Sequence, residues 1–393
     1  MLIWLSFVIS LVLLLYIARK SLWLAMMTSA LVLGIFNLNP DQMLQVVKNT
    51  IFDIPILLLA VAVGLIPLIG GGLQRSGLLN DLINNLQVKR QVFLGFSPAL
   101  MGLLPIPGGA LLSAPMLIRA GDDISGDSYA AINVWFRHIL ILIYPLGALL
   151  PCAKMADVNI YSVILYVLPA FIILFLLGYF FFLRNVSGDM PSVHKINYKK
   201  LFIPLMIIIS APAIHITLSN LGVFDEISLM IGISVSLILT ATIGKLKTSD
   251  MSFIIQKMKP WKYFLIIIGV FLFLHVFEAS TISGLIAELV FSKTFLIIIV
   301  GALLSIVTGR VQLPISILIP IFLATYGAEQ LTAMTFALMY VAIYIGYMIS
   351  PVHPCVSVSI EFFDTKYIDF AGKLILPSLI GFAFTYIAAL LLV

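Results

Sequence analysis

GLLPIPGGALLSAPM (Gly102–Met116) and TGRVQLPISILIP (Thr308–Pro320) are two apolar stretches that prolines and glycines interrupt, one in each half of the chain. Both are embedded in hydrophobic sequence long enough for a membrane. Lipid tolerates irregular backbone only where protein or a water-filled cavity covers it. Interrupted segments in corresponding positions of two halves are typical of the binding site of a secondary transporter. The two stretches therefore predict a site where the membrane segments break.

The composition is that of a polytopic membrane protein. Of the 393 residues, 62% are hydrophobic and 10% are charged, whereas soluble domains carry about 25% charged residues. The longest polar loops, Arg184–Lys200 and Lys245–Lys262, are too short to fold as soluble domains. The net charge of +5 comes from loop residues that set membrane topology. We therefore expect a lipid bilayer as partner and no nucleic acid.

The hydrophobic pattern predicts an all-α protein with about ten transmembrane helices, because a helix needs about 20 apolar residues to cross the hydrocarbon core. The predicted spans are Leu2–Ala18, Leu22–Phe36, Ile51–Ile69, Ile139–Ala156, Ile160–Leu183, Leu201–Ser219, Ser228–Gly244, Phe264–Glu278, Leu331–Ser357 and Leu374–Val393. Two apolar stretches remain, at 92–118 and 295–326. Each is too long for one span and broken centrally, which favours a re-entrant hairpin.

Charge supports this topology. If both termini are outside and both hairpins are re-entrant, 18 of the 22 Lys and Arg residues fall on the cytoplasmic side. The exceptions are Lys48, Lys154, Lys293 and Arg310. That bias agrees with the positive-inside rule. We expect a multi-pass protein of the cell (plasma) membrane with its N- and C-termini outside. The segments 78–86 and 251–264 are amphipathic and predict interfacial helices on the cytoplasmic side.

The order of the segments predicts an inverted repeat. Each half contains three spans, a hairpin and two further spans, so the second half enters the membrane inverted. The predicted boundaries are residues 1–183 for the first repeat, 184–200 for a cytoplasmic linker and 201–393 for the second repeat. Alternating-access carriers are built on such repeats.

A span with its own interruption follows each hairpin. Pro145 and Gly147 interrupt Trp135–Cys152, and two prolines flank His353 in Gly346–Ser359. Broken helices expose unpaired N–H groups that attract anions, and unpaired carbonyls that suit Na⁺ or a protonated water. A proline kink alone is common in membrane helices, and this alternative stays open for each span taken singly. The candidates for the coupling ion or proton are Tyr144, Pro145, Gly147, Ser350 and His353.

Candidate substrate-binding residues lie at the hairpin breaks. A double glycine would let a ligand approach the backbone closely, and His353 could donate to a substrate or carry a proton. The candidates are Pro105, Pro107, Gly108, Gly109 and Ser113 of the first hairpin, Thr308, Gly309, Arg310, Gln312, Pro314 and Ser316 of the second, and His353.

Arg310 is the sharpest single hypothesis. An ionisable residue at membrane depth is costly and is functional by default, and a guanidinium can clamp a carboxylate or phosphate with two hydrogen bonds. The alternative is that Arg310 reaches the far headgroup region and snorkels there. Arg137 and His138 begin a predicted span, where they are expected to act as interface anchors.

No catalytic or metal motif is expected. The sequence contains neither a zinc-binding HExxH helix, a phosphate-binding loop, a nucleophile elbow nor paired intramembrane aspartates. Cys152 and Cys355 lie in apolar context and are expected to pack within helices without a disulfide or metal role. We therefore predict a non-enzyme without a cofactor, apart from transported Na⁺ or H⁺.

Three motifs resemble a known family. PIPGGALLSAPM (Pro105–Met116), the RH…YP span (Arg137–Pro145) and SPVHPC (Ser350–Cys355) are similar to an uncharacterised integral membrane family, a domain of unknown function. That family is grouped with the ion transporter superfamily, whose members include dicarboxylate, gluconate and citrate carriers and sodium–proton antiporters. The resemblance covers nearly the whole chain, although the Ser-Asn-Thr tip motif of the dicarboxylate symporters is absent from both hairpins.

The resemblance implies an elevator-type transporter. A transport domain built from 92–156 and 295–359 would move against a scaffold formed by the remaining spans in a homodimer. Together with the residues, it predicts ion-coupled uptake of a small organic anion, driven by Na⁺ or H⁺. A cation–proton antiporter, an intramembrane enzyme and a non-transporting scaffold stay open as alternatives.

Overall fold

In the part of the chain that the structure describes, the regular structure is helical, apart from one isolated β-bridge between Lys89 and Asp189. A computed structural model describes residues 2–86, 88–103, 109–121, 123–190, 196–288 and 291–393. The α-helices described in the first half are α1 (Leu2–Ala18), α2 (Leu22–Asn37), α3 (Pro40–Ile51), α4 (Ile54–Arg75), α5 (Leu78–Asn84), α6 (Arg90–Gly102), α7 (Gly109–Ile118), α8 (Gly126–Ile139), α9 (Leu149–Met155) and α10 (Ile160–Gly178).

The second half is also helical. Its described α-helices are α11 (Tyr198–Asn220), α12 (Asp225–Ile243), α13 (Thr248–Met258), α14 (Pro260–Ala279), α15 (Thr281–Ala287), α16 (Gly301–Thr308), α17 (Gln312–Tyr326), α18 (Ala333–Ile349), α19 (Pro354–Phe362) and α20 (Tyr367–Leu392). A π-helical stretch extends α10 to Leu183, and another, starting at Phe295, leads into α16. The predicted all-α class is confirmed.

Many of these helices are apolar enough to cross a membrane. Among the described residues, 7 helical segments satisfy the length and composition of a span. Four shorter apolar helices lie at Ile3–Ala18, Leu22–Asn37, Phe295–Thr308 and Gln312–Tyr326. The chain is thus a multi-pass membrane protein, while the number of ten spans stays a prediction.

Both predicted hairpins fold as two helices around a break. In the second hairpin, α16 ends at Thr308 and α17 begins at Gln312, with Gly309 in a left-handed conformation at φ +59°. In the first, α6 ends at Gly102 and α7 begins at Gly109. The two arms of each hairpin pack against each other.

Some predicted boundaries were wrong. The span predicted at Ile139–Ala156 is instead α8, which begins at Gly126, followed by an irregular stretch and the short α9. The polar residues in the first turns of α8 hid the start of this helix from a hydrophobicity criterion. The amphipathic segment at 251–264 is divided at Lys259, whose positive φ of 51° ends α13 before Pro260 begins α14.

Capping explains where α3 and α4 begin. The Asn39 side chain accepts a hydrogen bond from the Gln42 N–H, and the Gln42 side chain accepts one from the Asn39 N–H, at 2.8 and 3.0 Å. This capping box satisfies orphan donors in the first turn. Asp53 caps α4 by accepting from the Ile56 N–H at 2.9 Å. The span predicted from Ile51 therefore starts three residues later.

The helices form two packed groups. In one group α1, α2, α4, α11, α12 and α14 pack against each other; in the other, α6, α8, α10, α16, α18 and α20 do so. Helices α10 and α20, which the resemblance assigns to a scaffold, pack against α8 and α18. The group that contains α6 and α16, the first arms of the two hairpins, therefore also contains α10 and α20.

Small residues allow α16, the first arm of the second hairpin, to pack closely against α18. Gly346 of α18 faces the Ala302 carbonyl so closely that a Cβ atom would collide with it. The Ser305 hydroxyl donates to the Ile343 carbonyl at 2.5 Å, and the Ser350 hydroxyl donates to the Ile306 carbonyl at 2.6 Å. Small residues allow such close packing in membranes, where van der Waals contacts and hydrogen bonds drive helix association.

Candidate functional site

Described residues from all four interrupted segments line one cavity of about 300 Å³, here called the central cavity. The tip of the second hairpin, the end of α6, the stretch between α8 and α9, and the start of α19 contribute to it, with α4, α14 and α18 completing the wall. Its lining residues are Val63, Ile66, Pro67, Gly102, Leu103, Ile141, Leu146, Gly147, Ala148, Pro151, Tyr263, Gly309, Arg310, Val311, Gln312, Tyr344, Tyr347, His353, Pro354 and Cys355.

The tip of the second hairpin rests on the break of the following helix. A Cβ atom at Gly309 would lie 2.8 Å from the His353 nitrogen and 2.8 Å from the Val352 carbonyl carbon. Its positive φ also favours glycine. Glycine at this position thus allows the hairpin tip and the start of α19 to form one continuous wall.

Arg310 faces the central cavity from this tip. Its Nη2 donates a hydrogen bond to the Ala18 carbonyl at 3.1 Å, at the last residue of α1. Among the lining residues it stands close to Tyr263 and Tyr347. The remaining guanidinium N–H groups have no side-chain acceptor among the described residues and can serve a ligand. Arg310 is half-buried within protein, so the snorkelling alternative fits less well than the cavity-lining one.

Arg137 holds the first hairpin in a comparable way. Gly102 meets the Arg137 carbonyl, and Gly109 meets the Arg137 guanidinium, both so closely that a Cβ atom would collide. The Arg137 Nη1 lies 3.4 Å from the Ser113 hydroxyl. Of the first-hairpin candidates, Gly109 and Ser113 therefore contact Arg137. Pro105, Pro107 and Gly108 lie outside the described residues.

Arg137 and His138 are not interface anchors, which corrects the prediction. Their exposed fractions are 5% and 2%. They occupy the last turn of α8, which starts thirteen residues before the predicted span does. The polar SGDS sequence at 125–128 was the signal of a helix start that the hydrophobic pattern concealed.

Three rings cluster beside Arg137. The ring centroids of Tyr347 and His353 are 3.9 Å apart, those of His138 and His353 are 4.7 Å apart, and those of His138 and Tyr347 are 5.2 Å apart. His353 is 1% exposed. The structure thus brings the predicted His353 to the cavity, together with the Tyr347 ring and Cys355, which sequence reasoning did not select, and the His138 ring packs behind them.

The other predicted residues divide into two sets. Gly147 and Gln312 line the central cavity. The remaining candidates make contacts away from it. The Tyr144 hydroxyl donates to the Ile208 carbonyl at 3.1 Å, and the Ser316 hydroxyl donates to the Leu313 carbonyl at 2.8 Å. Pro145, Thr308, Pro314 and Ser350 likewise lie outside the lining set.

The central cavity is positively charged. Arg310 lines it, and Arg137 stands directly behind Gly102 and Cys355. None of the described lining residues is Asp or Glu, and the sequence of residues 104–108, LPIPG, contains no acidic residue. Two guanidinium groups without a local carboxylate favour an anionic ligand.

A separate ion network joins the two halves of the chain. Lys154 of α9 contacts Asp225 and Glu226 of α12 at 2.6 and 2.7 Å. Asp225 also accepts from His215 at 3.0 Å, and the Tyr161 hydroxyl lies 2.8 Å from the other ring nitrogen of His215. This network ties α9 and α10 to α11 and α12.

Comparison with known proteins gives a family and a fold. The model of a family described as "Protein of unknown function (DUF401)" matches residues 2–392. No curated protein matches the sequence significantly. The crystal structure of the YdaH transporter of Alcanivorax borkumensis, reported to have an unusual topology, is similar with a TM-score of 0.63. It is 13% identical, and the match covers 93% of this chain and 96% of that one.

Proposed function

The chain belongs to the DUF401 family, and we propose that it is a secondary active transporter that takes up a small organic anion. Membership of a family of unknown function was predicted, whereas the link to the ion transporter superfamily stays a prediction. The fold shared with the YdaH transporter supports a transport function. We also propose that the chain is not an enzyme.

The charge of the central cavity carries the proposal. Arg310 and Arg137 approach it from opposite halves of the chain, and no acidic residue is found among its described lining residues. The N-terminus of α17 begins at the cavity with Gln312, and its free N–H groups add positive potential. A carboxylate-bearing solute would gain charge-assisted hydrogen bonds there.

Alternating access is the proposed mechanism. The predicted inverted repeat (1–183 and 201–393, joined by 184–200) would expose the cavity to each side in turn. We propose that the hairpin-bearing helix group moves against α1, α2, α4, α11, α12 and α14 in an elevator-like motion, within a homodimer. Na⁺ or H⁺ coupling would supply the driving force, with carbonyls at the breaks around Gly147 and Ser350 as candidate ion ligands.

A binding screen tests the anion directly. Purified protein is heated with mono-, di- and tricarboxylates, each with and without Na⁺ and at several pH values. A bound ligand stabilises the folded protein by mass action, by about 2.7 kcal/mol at 100 times its Kd, and so raises the melting temperature. A Na⁺- or pH-dependent shift with one carboxylate supports the proposal. A response to cations and pH alone would favour a cation–proton antiporter instead.

A further inference from the structure

The geometry points to a binding site for one transition-metal ion on the wall of the central cavity. Its ligands are His138, His353 and Cys355, whose ligand atoms all lie within 4.8 Å of one another. His138 ends α8, while His353 and Cys355 begin α19. The site therefore joins the two broken helices, and it contradicts the expectation that Cys355 only packs.

His353 lacks the partners that a buried imidazole needs. Neither ring nitrogen has a hydrogen-bond partner of normal geometry among the described residues. The Tyr347 carbonyl is near but poorly aligned. Leaving a buried polar group unsatisfied costs about 1–3 kcal/mol. A metal ion that accepts a lone pair from this ring would offset that cost.

His138 is already oriented as a metal ligand. Its Nδ1 lies 2.6 Å from the Val134 carbonyl, so this nitrogen carries the proton and donates. The lone pair is consequently on Nε2. Metal-binding histidines usually have their second nitrogen fixed by a carbonyl or carboxylate in this manner.

The donor set selects the class of ion. Two imidazoles and a thiolate suit Zn²⁺ or Co²⁺ and do not suit Mg²⁺ or Ca²⁺, which prefer oxygen ligands. Three protein ligands leave one tetrahedral position open. Because His353 and Cys355 line the central cavity, that position faces it. The Arg137 guanidinium beside Cys355 offers the thiolate a positive partner.

A single-thiol protein allows a direct test. The chain has 2 cysteines, and Cys152→Ser removes the one outside the cluster, which is buried in α9. In this background Zn²⁺ is expected to slow maleimide labelling of Cys355 in proportion to the occupied fraction of sites, because the thiolate is the nucleophile and a metal-bound thiolate is not free to react. Mg²⁺ is expected to leave the rate unchanged. An equal rate with and without saturating Zn²⁺ would overturn the site.

Two histidine variants separate binding from general effects. His353→Gln is expected to abolish the protection by Zn²⁺, whereas His275→Gln, outside the cluster and hydrogen-bonded to Thr50, is expected to retain it. Protection that survives His353→Gln would exclude that residue as a ligand.

Cobalt provides a second measurement that needs no histidine variant. Co²⁺ bound to Cys355 is expected to give a thiolate-to-metal charge-transfer band in the Cys152→Ser protein, and its absence would overturn the site even if the histidine variants fail to fold. Neither readout depends on transport. The metal site and the proposed anion transport can therefore fail independently.

Discussion

The guanidinium of Arg310 donates a 3.1 Å hydrogen bond to the carbonyl of Ala18. This bond joins the tip of the second hairpin to the last residue of α1, and therefore one helix group to the other. A carbonyl at the C-terminal end of a helix is a favourable partner for a cation. Arg310 thus fixes the hairpin to α1 while its other donors face the central cavity.

We expect Arg310→Gln to abolish anion binding. Removing one partner of a desolvated charge pair costs about 2–5 kcal/mol, which corresponds to a loss of affinity of about 30-fold or more. Proteoliposome uptake and the ligand-induced shift in melting temperature measure this. Arg310→Lys should bind more weakly than the wild type but better than the glutamine variant, because it keeps the charge without the planar fork.

The matched control is Arg75→Gln. Arg75 is half-exposed at the end of α4 and pairs with Asp250 at 2.8 Å, outside the lining set of the central cavity. This variant should bind and transport the anion as the wild type does. If it loses as much uptake as Arg310→Gln while both remain folded, net charge rather than a clamp explains the effect.

We expect Gly309→Ala to destabilise the protein by about 1–3 kcal/mol. The left-handed backbone strains any side chain, and the new Cβ would press on Val352 and His353. Gly372→Ala in α20 serves as control, since nothing lies within 4 Å of its Cβ position and alanine favours a helix by up to about 1 kcal/mol. Thermal unfolding in detergent compares the two. An equally stable Gly309→Ala protein would refute the close approach.

Lys154→Met should cost about 1–3 kcal/mol of stability. It leaves Asp225 and Glu226 without their cation, and breaking a buried ion pair costs more than breaking an exposed one. The expected loss of stability is smaller than for a fully buried ion pair because 35% of the Asp225 side chain is exposed. Lys200→Met breaks the more exposed pair with Asp81 and should cost at most about 1 kcal/mol. Similar losses would show that the network contributes little.

Membrane orientation can be tested by cysteine labelling. In a protein without native cysteines, Glu329→Cys should react with an impermeant maleimide in intact cells, whereas Ser187→Cys should react only after lysis. Both positions are exposed, and the positive-inside rule places them on opposite sides. Reversed labelling would invert the predicted topology, including the outside location of both termini.

The sequence predicted the parts of the fold that apolar length and proline determine. The second hairpin breaks at the predicted Gly309, between α16 and α17, and Arg310, Gly309, Gln312, Gly147 and His353 do line one cavity. A hydropathy profile cannot distinguish a polar residue that is buried among protein side chains from one that is exposed to water. Arg137 and His138 were therefore assigned to an interface.

Packing across distant segments was also beyond the sequence. Some predicted residues point away from the central cavity, as the Tyr144 hydroxyl does when it donates to the Ile208 carbonyl. Such contacts, and the positions of the short helices, depend on packing between segments that are distant in sequence. The break around Pro145 was foreseen, but the direction of each side chain around it was not. A broken helix has no regular periodicity from which the direction of its side chains can be inferred.

The close packing of α16 against α18 has a consequence for the direction of solute transport. Gly346 lets the backbones of α16 and α18 approach closely, and the two serine hydroxyls donate to backbone carbonyls across this contact, so the hairpin tip and the start of α19 would travel together. Two walls of the proposed site would then keep their spacing at either membrane face. A solute held mainly by those walls would have the same dissociation constant inside and outside. Such a carrier works in both directions, and the gradients of the solute and of the coupling ion together decide whether a cell gains or loses the solute.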